Sequence, residues 1–218
     1  MDLRGFVCIA FVLMMVAAIG AIGMCCCSGL LVIPTADTMP HGAYSAEIQA
    51  DGVVEGIKTK AVLLNNQMGL GGRFEFGVDL DPDRSSDSNA IANAKCQVLS
   101  ALSGRVMAAI GVSSVARSVR PAPYAVTSTD LGVCRVHLGV MRVDGSDRCI
   151  AGFDKRFGKL TAMADYTSGD GGLCSLGVNY QFTDSFGVMA GPVLHRGGED
   201  TGFSVHLVCC KQMGGPRG

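Results

Sequence analysis

Strict alternation of apolar and polar residues limits how this chain can fold more than any other feature. It is clearest in residues 172–191, where Cys174, Leu176, Val178, Tyr180 and Phe182 share one face of an extended chain. Ser175, Gly177, Asn179 and Gln181 share the other. Thr183-Asp184-Ser185 reads as a tight turn, after which Phe186, Val188 and Ala190 resume the apolar face. A connection this short admits only an antiparallel partner, so the stretch is a β-hairpin.

The same unit recurs along the chain. Tyr44, Ala46, Ile48 and Ala50 oppose Ser45, Glu47, Gln49 and Asp51, while Phe74, Phe76, Val78 and Leu80 oppose Arg73, Glu75, Gly77 and Asp79. Further copies run through Lys95 and Gln97, through Val106 to Val112, and through Cys134, Val136, Leu138 and Val140 against Arg135 and His137. Cys149, Ala151 and Phe153 oppose Arg148, Gly152 and Asp154; Leu160, Ala162, Ala164 and Tyr166 oppose Thr161, Met163 and Asp165. Asp144-Gly145 is a strong two-residue hairpin signal. Residues 81–89 and 116–129 read as long loops, the second through Arg117, Arg120, Pro121 and Pro123. Roughly ten to twelve strands at this spacing, with no helical period among them, predict an all-β sheet, barrel or sandwich.

The N-terminus has a different pattern. Residues 5–24 are an apolar run behind Arg4, with small residues at Ala18, Gly20, Ala21 and Gly23 where a signal peptidase would cut. The run is also long enough to serve as a retained anchor. The expected organisation is therefore a signal peptide over 1–23 (or an uncleaved anchor), a lead-in segment over 24–42, a β-barrel domain over 43–210 and a flexible tail over 211–218. Within the lead-in, residues 29–42 read as a short apolar strand stopped by Pro34 and Pro40. Met24 precedes Cys25-Cys26-Cys27, where a lipobox would place a small residue, and no CxxC spacing suggests a metal site. Cys96, Cys134, Cys149 and Cys174 fall on apolar faces and read as small buried hydrophobes, with a disulfide framework as the alternative.

Alternation does not say which face points inward. A lipocalin-like soluble barrel puts the apolar face inside, and a membrane barrel turns it toward lipid. The charged fraction is 17%, against roughly 25% in ordinary soluble domains. The polar faces mix Gly and Ser with a few charges, which suits a crowded lumen. Tyr180, Phe182, Phe186, Phe153 and Phe157 gather near turns as an interfacial girdle would. Against this stand the absence of Trp and a C-terminus that runs past the last strand without ending on an aromatic residue. The fold expected is an antiparallel up-and-down β-barrel of about 10–12 strands, outer-membrane type, in the cell outer membrane with its lipid bilayer as partner. The alternative is a soluble exported barrel or sandwich, periplasmic or extracellular, binding an apolar ligand or a protein partner.

Residues 29–37, Gly-Leu-Leu-Val-Ile-Pro-Thr-Ala-Asp, followed by Gly42 and an alternating strand, resemble the N-terminal motif of YjbH-like outer-membrane proteins. The resemblance covers about the first 25 residues after the apolar run. It implies a β-barrel and a link to exopolysaccharide production or export, with polysaccharide or cell-envelope proteins as partners. It brings no catalytic residues.

Catalytic chemistry is not indicated. His41, His137, His195 and His206 make no HExxH motif, and neither Walker spacing nor a G-x-S-x-G elbow occurs. A barrel-borne hydrolase would need a nucleophile that the pattern does not select. Asp81, Asp83 and Asp87 lack EF-hand spacing, so no metal or other cofactor is expected. A net charge of −1 excludes a basic nucleic-acid surface. What the polar faces do predict is a lumen network of paired charges: Glu47, Arg73, Glu75, Lys95, Arg135, His137, Asp154 and Asp165.

Overall fold

A computed structural model describes residues 28–82, 90–116, 119–197 and 200–213. The expected signal peptide or anchor at 1–23, the cysteines at 25–27, most of the 81–89 loop and the last five residues lie outside them. Among the described residues, the alternating segments form twelve antiparallel strands: β1 (Ala43–Val53), β2 (Lys58–Leu70), β3 (Phe74–Leu80), β4 (Ala90–Ala101), β5 (Val106–Val115), β6 (Ala122–Asp130), β7 (Arg135–Val143), β8 (Ser146–Phe157), β9 (Leu160–Thr167), β10 (Leu173–Thr183), β11 (Phe186–His195) and β12 (Gly202–Gln212). Each pairs with its neighbour in sequence, and β1 pairs with β12 from Ala43↔Gln212 to Val53↔Gly202, which closes the barrel. Closure leaves no edge strand, as crossing a bilayer requires. Lys211 and Gln212, placed in the tail on sequence grounds, belong to this closing ladder.

The apolar face points outward. Leu176 is 57% exposed while its neighbour Ser175 is 0% exposed, and Phe74, Ile110, Leu138, Val140, Phe153 and Val178 likewise stand on the outer wall. That orientation rejects the soluble alternative, whose apolar faces would line the interior. It also corrects the expectation for the cysteines: Cys149 and Cys174 are exposed on the outside of the wall. No disulfide joins any two of the six described cysteines. Tyr180 packs edge-on against Phe182 at 4.9 Å between centroids, and Phe182 stacks on Phe186 at 5.6 Å, forming part of an aromatic rim.

The two ends of the barrel differ. At one end the connections are short: residues 71–73, 102–105, 131–134, 158–159 and 184–185. At the other, the strand connections span residues 54–57, 81–89, 116–121, 168–172 and 196–201, longer on average, with the tight Asp144-Gly145 hairpin among them. Both Asp144 (φ 52°) and Gly145 (φ 85°) have positive φ, as a type I′ turn demands. Short turns at one end and longer loops at the other match the periplasmic and external ends of outer-membrane barrels.

One wall strand was hidden in the sequence. Residues 122–129, expected to be loop, form nearly all of β6, with Ala122, Tyr124, Val126 and Ser128 inward and Ala125 and Thr127 outward. Its larger apolar side chains point inward, the reverse of the usual pattern, and its prolines suggested a turn. Pro123 pairs with Val112 on β5 but lies beyond the last β6–β7 pair, Tyr124↔Met141. One side of the strand is unpaired there, so a missing N–H is tolerated.

Candidate functional site: a plugged lumen

Twelve strands enclose more space than their own inward side chains fill, because barrel diameter grows with strand number. The lead-in segment occupies that space. Residues 28–35 fold into a small hairpin, with Gly29 bridging to Pro34 and Leu30 N–H donating to Ile33 O at 2.9 Å. Residues 36–42 then lead to the start of β1 at the short-turn end. The short apolar strand expected in the lead-in at residues 29–42 is instead this hairpin and the segment that follows it, inside the lumen. Leu30, Leu31 and Ile33 pack against Val126, Ile150, Met163, Met189 and Val193, so the apolar core of the molecule sits inside the lumen. Gly152 on β8 makes room for it: a Cβ there would collide with the side chain of Leu30 and press on Ile33. Gly69 on β2 gives the same clearance to the carbonyls of Met39 and Pro40.

Polar anchors hold the segment at both ends and in the middle. Lys95 Nζ donates to Ser28 O at 2.7 Å, to Asp37 O at 2.7 Å and to Thr35 O at 3.4 Å, and lies 3.5 Å from Glu75 Oε1. Glu75 accepts from Ser28 Oγ at 2.6 Å and from Met39 N at 3.0 Å. Asp165 accepts from Val32 N at 2.9 Å and from Ser175 Oγ at 2.6 Å. Gln97 Nε2 donates to Ala36 O at 3.0 Å. The wall side chains thus satisfy plug amides and carbonyls that would otherwise be buried without partners.

A second line of bonds runs from wall to plug through Asp154. Arg135 clasps Asp154 through Nε (3.0 Å) and Nη2 (3.0 Å) and reaches Asp37 Oδ1 with Nη1 at 2.9 Å. His137, fully buried, lies 2.8 Å from Asp154 Oδ1 through Nε2 and 2.7 Å from Ser128 Oγ through Nδ1. Ser128 Oγ in turn accepts the Ala36 N–H at 2.9 Å. The Ser128 hydroxyl thus bridges the plug amide and the His137 ring, whose other nitrogen faces Asp154. The trio has the members of a hydrolytic triad, but Ser128 is buried with its oxygen committed to the plug. Its role here is to hold Ala36.

Of the eight expected network residues, Glu75 and Lys95 pair directly, and Arg135, His137 and Asp154 form one cluster. Asp165 stands apart on the plug's far flank. Glu47 joins a separate group with His206 at 2.7 Å and Asn65 at 2.7 Å. Arg73 is a correction: it shares the phase of Glu75 but precedes β3 in the turn after Gly71-Gly72, and is exposed at the rim. Asp37, Ser28, Ser128 and Gln97 were missed. Asp37 and Ser28 lay in what reads as a lead-in, and Ser128 in what reads as a loop.

Cavities flank the plug toward both ends of the barrel. A cavity of about 590 Å³ opens at the short-turn end, lined by Asp37, Arg135, Arg156, Thr161, Asn179 and Gln181 among others. A smaller one of about 220 Å³ lies toward the loop end, between the plug tip at Val32-Ile33-Pro34 and Asp79, Asn93 and Tyr124.

The closed ladder, outward apolar face and polar lumen find their counterpart among solved structures. The structure is similar to the KdgM porin, with a TM-score of 0.56 and 10% identity, covering 76% of this chain and 98% of that one. The fold is that of an outer-membrane porin-type barrel. A second similar structure, "KdgM porin in complex with disordered oligogalacturonate", matches at TM-score 0.56 and 11% identity over the same shares. No family model and no curated protein matches the sequence. At such identity the likeness is one of fold.

Proposed function

We propose that this chain resides in the outer membrane as a barrel through which a polar, carbohydrate-type solute passes, in the service of surface-polysaccharide traffic. The observation that carries the reading is the lumen itself. It is lined with Asn, Gln, Ser and paired charges, opens into a cavity of about 590 Å³, and is stoppered by a segment of the same chain and not by the wall's own side chains. A wall built for rigidity alone would need no polar cavity. Hydroxyl-rich solutes suit such a surface, since Asn179, Gln181 and Thr161 present donors and acceptors side by side. The complex of the structurally similar KdgM porin with oligogalacturonate and the resemblance of residues 29–37 to an exopolysaccharide-linked motif both favour a saccharide.

The test is flux of the full chain reconstituted in liposomes, read by swelling in solutions of neutral and acidic trisaccharides. Passage of either above protein-free controls supports the reading. A heat-modifiable, correctly folded barrel that passes neither under any condition refutes it and leaves a purely structural role.

A further inference from the structure

We infer that residues 28–41 are a displaceable plug latched by the Arg135–Asp37 pair, and that a carboxylate-bearing saccharide arriving from the short-turn end releases it by taking the place of Asp37 on Arg135. The inference rests on the passage reading and adds to it the solute's charge, its direction of travel and the gate.

The plug's anchors differ in what can reach them. The Lys95 and Glu75 side chains are only 4% and 7% exposed, and Asp165 and Ser128 are likewise buried. Arg135 and Asp37 are 35% and 26% exposed, and both face the larger cavity. This pair is the anchor a solute in that cavity can contest. Its chemistry is already that of carboxylate capture. Arg135 is oriented by Asp154 through Nε and Nη2, which leaves Nη1 aimed into the lumen, where the Asp37 carboxylate occupies it. A guanidinium held in this way accepts one carboxylate for another without reorganising.

Direction follows from which cavity holds the latch. Arg135 and Asp37 line the short-turn cavity, and neither lines the loop-end one. A solute entering from the loop end meets the Val32-Ile33-Pro34 tip in a cavity lined by Asn93, Tyr124 and Lys95 but by neither member of the latch. One entering from the turn end meets Arg135, with Arg156 on the same wall. Since short turns mark the periplasmic end, the gate answers solute leaving the cell.

Hydrogen exchange of the plug amides in the full chain reads the latch directly, because the N–H groups of Val32, Ala36 and Met39 are all bonded to the wall. A galacturonic acid trimer is expected to accelerate exchange in residues 28–41, while maltotriose at equal concentration does not. Asp37→Asn should raise plug exchange roughly five-fold without ligand, as loss of a partly exposed ion pair implies, and should blunt the response to the trimer. An equal response to both sugars, or no response of the unmodified chain to the acidic one, overturns the latch, and this arm needs no variant to fold. In planar bilayers, current evoked by the trimer from the turn side alone supports the direction; current evoked from the loop side overturns it. If plug exchange responds but no flux or current follows, the latch stands and the passage reading falls. If solute passes while plug exchange stays fixed, passage stands and the latch falls.

Discussion

Replacing Lys95 by Met should loosen the plug more than any other single change in the wall. The side chain keeps its length and apolar stem but loses the cation. Two short bonds, to Ser28 O and Asp37 O at 2.7 Å each, disappear, along with the longer contact to Thr35 O. A hydrogen bond from a charged donor contributes about 1.5–3 kcal/mol, so the pair accounts for roughly 3–6 kcal/mol. Glu75 is then left as a buried carboxylate 7% exposed, held only by Ser28 Oγ and the Met39 amide, and relieved once water enters. Both effects favour the displaced state, and even the lower figure corresponds to at least a roughly 100-fold rise in its population. The assay is hydrogen exchange of residues 28–41 in detergent-solubilised full chain, with heat-modifiable migration confirming an intact wall. Adding Glu75→Gln to Lys95→Met should restore part of the protection, because the uncompensated charge is gone. Plug exchange unchanged in the single variant, with the wall folded, would refute the claim that Lys95 secures the segment.

Three further outcomes are expected. Val178→Asp puts a charge on the outer face at mid-strand and should cost about 1–2 kcal/mol of stability in lipid, whereas Asn179→Asp faces the lumen and should be near neutral; urea titration in vesicles compares them, and equal tolerance contradicts the strand phase. Gly152→Leu should expel the plug tip by colliding with Leu30 and Ile33 while leaving the barrel folded, seen as faster exchange at residues 30–33 without loss of heat-modifiability. Ser128→Ala removes the acceptor for the Ala36 amide and one partner of His137, at a cost of about 1–3 kcal/mol; exchange at Ala36 should rise while solute flux persists or increases, and an abolished flux would point to chemistry at Ser128 instead.

Much of the wall was legible because lipid enforces a simple rule. Where the outside must be apolar and the inside polar, each strand reports its phase in sequence, as β10 does through Cys174 to Phe182. The rule failed at β6, where Tyr124 and Val126 point inward because the plug gives them an apolar neighbour. The pattern of residues 122–130 reflects a partner nearly a hundred positions away, so no local reading recovers it. Charge pairing was legible in kind but not in detail. Glu75 with Lys95 and Arg135 with Asp154 are cross-strand neighbours, so their pairing follows from register. Arg73 kept the right phase but lay just before the strand's start.

The sequence by itself determined an antiparallel chain of alternating strands with one apolar and one small polar face, because period two is a property of the extended backbone. Tertiary closure decided which face meets lipid, since only the ring of twelve strands distinguishes inside from outside. It also decided that residues 28–41 are not wall. Their Leu30, Leu31 and Ile33 look like any short apolar strand, and only the space left inside a barrel this wide, cleared at Gly152 and anchored by Lys95 and Arg135, turns them into a plug.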